Sequence, residues 1–154
     1  MLGIELLQFV AIAIPSVVAA WSDIRRRTIA NWLCLLTACI GLAFAFGFDG
    51  WDAALWHAAH MMVALLIGVG LFAMQWWGGG DGKFYAAVAA WVPLSGFFLL
   101  LLWIALAGFL LVAVIFILRR IGPPVERPEG QSLPYGVAIA AGILCTLLPV
   151  YWPN

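Results

Sequence analysis

Long apolar runs, separated by short segments that carry glycine and charged residues, dominate this sequence. A helix that crosses the hydrocarbon core of a bilayer needs about 20 mostly apolar residues. Most of the runs approach or exceed that length, so the pattern predicts membrane-spanning helices without internal repeats. The runs cover residues 4–21, 29–48, 53–77, 84–118 and 134–152.

The run at residues 84–118 is too long to be a single crossing. As one helix it would extend about 50 Å at about 1.5 Å per residue, whereas the hydrocarbon core is about 30 Å thick. Pro93 disrupts a helix, and the Ser95-Gly96 pair that follows favours a turn. The sequence therefore predicts a short fourth span that ends there and a full fifth span over residues 97–118.

The positions of the cations indicate the number of spans and their orientation. Loops that carry lysine and arginine lie on the cytoplasmic side of a membrane. With six spans all seven cations share one side, whereas with five spans Arg119 and Arg120 would face outward. We therefore predict an all-α integral membrane protein, a bundle of six transmembrane helices with both termini outside. Residues 1–154 form a single domain in this interpretation, and membrane lipid surrounds it.

Composition supports a membrane protein and excludes several other classes. The sequence is 66% hydrophobic and 9% charged, whereas a soluble domain carries about 25% charged residues. A formal net charge of zero excludes a broad basic face, so we expect no nucleic-acid partner. The three cysteines lie in apolar runs and form no CxxC pair, which indicates neither a zinc ribbon nor a disulfide framework.

Two aspartates are the candidate chemical groups of this chain. Asp23 follows the first span and Asp81 follows the third, and since odd-numbered spans both run inward, both carboxylates reach the same membrane face. Neighbouring carboxylates resist double ionisation and titrate as a unit, as in an aspartic protease, where one takes a proton from water and the other polarises the peptide carbonyl. Glu126 and Glu129 lie in a polar, proline-rich loop that we expect to be mobile, and we interpret them as solvated charges.

The glycines around the second aspartate are predicted to serve the same chemistry. Gly78, Gly79 and Gly80 precede Asp81 and would let the helix open so that an extended substrate backbone can approach. Irregular backbone at membrane depth is tolerated where it lines a wet cavity. Together with Gly82 they form a hinge in this interpretation, and Lys83 favours ionisation of the aspartate. The same segment is also compatible with an ordinary turn between helices.

Other charged positions have simpler interpretations. Asp23 could merely offset the charges of residues 25–27, which are themselves a determinant of topology. His57 and His60, with Asp52, have a spacing that resembles a metal site. They fall near the outer end of the third span, far from the aspartates, so we predict no metal ion and no other cofactor.

Three separated motifs resemble one family. The GGGD of residues 78–81 matches the GxGD signature of intramembrane aspartic proteases. The stretch SDIRRRTIANWL, residues 22–33, resembles the segment of type IV prepilin peptidases in which an aspartate precedes arginines and an Ile-Pro-Asn. Residues 133–142, LPYGVAIAAG, resemble the start of the last span in the short branch of that family, the CpaA/TadV-like peptidases of Flp pilus systems.

The resemblance implies an activity and a location. Members of the family cleave the short basic leader of prepilins or pseudopilins at the cytoplasmic side of the bacterial inner membrane, and by this match Asp23 and Asp81 are the catalytic pair. Ala30 stands where the family often has proline. The cytosolic insert with paired CxxC motifs, found in longer members that also N-methylate the product, is absent, so we assign no methyltransferase activity.

Two other classes of function stay open at this stage. A small polytopic transporter also uses intramembrane aspartates, although it needs them near the middle of the bilayer. A non-catalytic pilus-assembly protein would use the aspartates only to pair with the cations. Within the family, a peptidase with a different substrate is a further alternative, and the oligomeric state and the particular prepilin are left open.

Overall fold

The computed structural model describes residues 2–121 and 133–151, and every regular element in those two segments is helical. The all-α prediction is therefore confirmed for this part of the chain. The loop that carries Glu126, Glu129 and Arg127 lies outside the described residues. The α-helices are α1 (Leu2–Arg26), α2 (Asn31–Phe44), α3 (Gly50–Ala73), α4 (Gly79–Ala89), α5 (Phe97–Ile121) and α6 (Tyr135–Tyr151).

Length and composition make several of these helices able to cross a membrane. Within the described residues, Leu6–Arg26, Asn31–Ala73 and Leu94–Leu118 qualify, and Tyr135–Leu148 is a shorter apolar helix. The second of these segments contains 43 residues and is divided into α2 and α3. These described helices indicate a membrane protein, while six crossings with both termini outside stay a prediction.

The division between α2 and α3 falls where the sequence predicts a boundary between the second and third spans. A π-helical segment, Ala45–Asp49, follows α2. Gly50 then adopts a φ of 87°, a left-handed conformation that glycine takes without steric cost. The boundary between the two helices thus falls at a glycine rather than at a proline.

Helix α4 is the buried centre of the bundle. It packs most extensively on α3 and also contacts α2 and α6, and its residues from Phe84 to Ala89 are buried. With 11 residues it is about 16 Å long, which confirms a short fourth helix but is only half the thickness of a hydrocarbon core. The close packing depends on glycine, because a Cβ on Gly68 of α3 would lie 2.7 Å from the Cα of Gly82.

Two histidines of α3 satisfy the backbone after α4. The carbonyl oxygen of Ala90 lies 3.0 Å from Nδ1 of His57, and that of Val92 lies 2.8 Å from Nδ1 of His60. A carbonyl oxygen only accepts hydrogen bonds, so Nδ1 carries the proton in both rings. The two histidines whose spacing resembled a metal site therefore donate hydrogen bonds to backbone carbonyls at the helix break around Pro93. Carbonyls at such a break lack partners within the helix.

Candidate active site

The first predicted catalytic residue, Asp23, lies buried in the last turn of α1. Its side chain is only 5% exposed. Its Oδ2 accepts a hydrogen bond of 2.8 Å from the backbone N–H of Gly136, the second residue of α6. The first N–H groups of a helix have no partner within the helix, so the carboxylate satisfies one of them and is in turn held by it.

The second, Asp81, lies in the first turn of α4. Gly78 is extended, with φ −70° and ψ 148°, and the helix begins at the next residue. Oδ2 of Asp81 accepts a hydrogen bond of 3.2 Å from the N–H of Gly78, as a carboxylate three residues after a helix cap commonly does. The aspartate therefore starts its own helix and is fixed in orientation by doing so.

Both aspartates line the same cavity, which has a volume of about 290 Å³. Burial and the charge of Asp23 raise the pKa of Asp81 to about 6, and the charge of Arg27 opposes this shift. Because the charge of one carboxylate shifts the pKa of the other, the two groups lie within electrostatic reach of each other. The structure thus brings together the two residues that the sequence selected from separate spans. The other lining residues are Arg27, Thr28, Ile29, Asn31, Gly78, Gly79 and Gly80.

The glycines around Asp81 lie at the start of a helix in the structure. Gly79, Gly80 and Gly82 belong to the first turns of α4 instead of a loop, and among the described glycines only Gly50 has a positive φ. The hydrogen bond from Gly78 to the carboxylate closes the helix start. The backbone of Gly82 lies directly against that of Gly68, and the opening of this segment for a substrate stays a prediction.

Lys83 makes its hydrogen bond to a neighbouring helix, and its effect on the ionisation of Asp81 stays a prediction. Its Nζ donates a hydrogen bond of 3.0 Å to Oδ1 of Asn31, which connects α4 to the first residue of α2. The cation whose charge lowers the pKa of Asp81 is Arg27. Lys83 therefore helps to hold α4, the helix that carries Asp81, against α2.

Arg27 is the main site residue that sequence reasoning missed. It was interpreted only as part of a topology-determining cluster, yet it has a φ of 56°, which is uncommon for a residue with a side chain. Its N–H donates to the carbonyl oxygen of Asp23 at 3.0 Å. Arg25, by contrast, stacks on Trp21, with its Cζ 4.4 Å from the ring centroid. The signal available in the sequence was the spacing of four residues between Asp23 and Arg27.

A larger cavity of about 660 Å³ lies among other parts of the helices. Its lining includes Gln8 near the start of α1, Asp49 before α3 and Ser95 in the break before α5. Neither member of the aspartate pair reaches it. The candidate chemistry is therefore confined to the smaller cavity.

The arrangement in the smaller cavity can perform acid–base chemistry. Its volume exceeds that of a water molecule, about 30 Å³ in the liquid, so a water and a short piece of extended chain fit beside the carboxylates. A carboxyl group with a pKa of about 6 can hold a proton that its ionised neighbour has lost. One group able to accept a proton and another able to donate one then face the same space.

Comparison with known proteins places the chain in a class of membrane peptidases. The type IV leader peptidase family matches residues 10–122, a segment that contains both Asp23 and Asp81. The chain belongs to this family, and the predicted resemblance is confirmed. Its apolar helices agree with a membrane-embedded member.

One curated relative is the prepilin peptidase EppA of Methanococcus maripaludis. The two are 31% identical over 88 residues, which is 57% of this chain and 22% of the relative. The chain thus matches about a fifth of the length of that protein. No solved structure matches the chain.

Proposed function

We propose that this protein is an aspartic endopeptidase that removes the basic leader from type IV prepilins or pseudopilins at the cytoplasmic face of the inner membrane. The observation that carries the proposal is the cavity shared by Asp23 and Asp81. Membership of the leader peptidase family supports the reaction class. The short-branch motifs around residues 22–33 and 133–142 support a substrate of the Flp type.

In this mechanism the pair holds one proton before the reaction. We assign the negative charge to Asp23, whose Oδ2 accepts the N–H of Gly136 at 2.8 Å. The shared proton is assigned to Asp81, whose pKa is raised to about 6 by burial and by the charge of Asp23. Both carboxylates accept a backbone N–H, so the assignment depends on the shorter hydrogen bond at Asp23.

In the chemical step one proton leaves the attacking water and another is added to the carbonyl oxygen of the scissile peptide bond. Asp23 takes a proton from a water molecule while the water oxygen forms a bond to the scissile carbonyl carbon, and Asp81 gives its proton to the carbonyl oxygen. When the tetrahedral intermediate collapses, the C–N bond breaks and Asp23 returns its proton to the amine. Asp81 recovers its proton from the carboxyl product, which restores the starting state.

The position of the pair in its helices supports cleavage near the membrane surface. Asp23 occupies the last turn of α1, two residues before Arg25, and Asp81 the first turn of α4. A prepilin leader is basic and precedes an apolar helix, so its cleavage site would lie at that level. A carrier needs ionisable groups near the middle of the membrane. The positions of Asp23 and Asp81 at helix ends therefore favour a peptidase over a carrier.

Co-expression with a Flp-type prepilin tests the proposal by loss of the leader in a gel shift. We expect wild type to cleave, and Asp23→Asn and Asp81→Asn to insert normally into the membrane without cleaving. Asp52→Asn is the matched control, because this exposed carboxylate lies in the first turn of α3 and outside the cavity. Near-normal cleavage by either cavity variant would remove that aspartate from the mechanism, and a well-inserted wild type that leaves the prepilin intact would favour a non-catalytic assembly protein.

A further inference from the structure

The start of α6 makes a contact with the aspartate pair that the matched family segment does not include. Gly136 lies beyond residues 10–122, which the leader peptidase family matches. Its N–H reaches Oδ2 of Asp23 at 2.8 Å across 113 residues of sequence. Both residues are buried, so the hydrogen bond between them is shielded from bulk solvent.

Only glycine fits at this position without displacing the carboxylate. A Cβ on Gly136 would lie 2.9 Å from Oδ2 of Asp23 and 2.8 Å from Cδ1 of Ile29. Carbon and oxygen atoms that are not bonded rarely approach so closely, so a larger residue would force α6 or the carboxylate to move. The absence of a side chain is therefore what allows the N–H to reach Asp23.

The rest of α6 is fixed by packing that does not involve the aspartates. The helix packs extensively on α5 and α1. At the contact with α5, a Cβ on Gly142 would lie 2.4 Å from Cγ1 of Ile104, and Gly108 of α5 faces the hydroxyl of Tyr135. The start of α6 is thus held in place by packing on α5 and α1. The hydrogen bond from Gly136 then fixes the Asp23 carboxylate relative to this helix.

We infer that Gly136 is a positioning residue for leader cleavage, whose N–H holds the Asp23 carboxylate in the orientation that acts with Asp81. This inference rests on the proposed peptidase function and extends it to a residue of the last helix. The charged groups that face Asp23 are Asp81 from α4 and Arg27 from the end of α1. The backbone N–H adds a fixed, uncharged donor to this set, which no change of pH removes.

Kinetics of Gly136→Ala test the inference against a purely structural role. We expect kcat to fall about 100-fold, the loss that a displacement of about 1 Å produces in an active site, with KM changed less than about twofold. The acid limb of the kcat profile should move to higher pH, because the ionised aspartate has lost a donor. Gly70→Ala is the control, since it adds the same methyl group inside a helix where nothing lies within 4 Å of the added Cβ. A wild-type kcat for Gly136→Ala, or an equal loss of kcat in both variants, would overturn the inference.

A spectroscopic measurement separates the contact from the activity. With glycine labelled by ¹⁵N in detergent micelles, the amide proton resonance of Gly136 should move upfield in Asp23→Asn, because a hydrogen bond to a carboxylate is stronger than one to an amide. The resonance of Gly142 should stay in place. An unmoved Gly136 resonance contradicts the inference while leaving the proposed function intact, whereas a wild type that cleaves no prepilin overturns the function and, with it, the positioning role.

Discussion

The contact between α3 and α4 gives a quantitative prediction for the variant Gly68→Ala. The added Cβ would lie 2.7 Å from the Cα of Gly82 and 3.0 Å from its carbonyl oxygen. Carbon atoms in contact normally lie about 3.5–4.0 Å apart, so the two helices must separate by about 1 Å. Overpacking of this kind destabilises a protein by about 1–3 kcal/mol.

Gly70→Ala supplies the comparison, because a Cβ at Gly70 has nothing within 4 Å. Both substitutions replace glycine by alanine inside α3, and each gains up to about 1 kcal/mol of helix propensity. The difference between the two variants therefore isolates the packing cost. Thermal unfolding in detergent micelles, followed by the loss of helical circular dichroism, measures it.

The same separation of helices should impair cleavage. Asp81 immediately precedes Gly82, so a shift of α4 by about 1 Å displaces its carboxylate relative to Asp23 and should lower kcat up to about 100-fold. Gly70→Ala should cleave like wild type. If Gly68→Ala is as stable and as active as Gly70→Ala, the reasoning from the close crossing at Gly82 is refuted.

Three further predictions follow from single groups. The folded pKa of Asp81, about 6, lies above its usual value of 3.8, so its stabilising contribution is complete below pH 3.8 and is lost as the pH rises through 6. The free energy of unfolding of wild type should thus fall over that interval relative to Asp81→Asn, as chemical denaturation at each pH would show. His60→Phe leaves the carbonyl of Val92 without its donor and should destabilise the protein by about 1–3 kcal/mol, seen as a lower melting temperature, and an unchanged melting temperature would count against that role. Trp91→Phe removes the indole donor to the carbonyl of Thr37 and should cost only about 1 kcal/mol, because this carbonyl lies inside α2 and keeps its helical partner; a larger loss of stability than that of His60→Phe would contradict this reasoning.

Much of the helical architecture could be predicted because it depends on local composition. The apolar runs and Pro93 predict the break before α5, which begins at Phe97 as expected. The burial of α4 could not be predicted, because a helix inside a membrane bundle and one that faces lipid have the same apolar composition. Its central position arises from tertiary contacts such as the one between Gly68 and Gly82.

In the candidate site, too, some features follow from local sequence and others depend on tertiary contacts. Asp23 and Asp81 could be selected because both are charges at the ends of apolar runs, and because the predicted direction of successive spans puts both at one face. The conformation of Arg27 and the donor at Gly136 depend on where the end of α1 meets α6, which no local pattern records. The cap that the Asp81 carboxylate provides for its own helix could not be predicted either, because glycine is compatible with both a loop and a helix start.

The central claim is that Asp23 and Asp81 act as one catalytic unit, and the rates of Asp23→Asn, Asp81→Asn and the double variant test it most directly. Residues that act as a unit have strongly non-additive effects. The account predicts that each single variant loses prepilin cleavage to the same residual rate as the double variant. Substantial cleavage by either single variant, or losses in the single variants that multiply in the double variant, would contradict it.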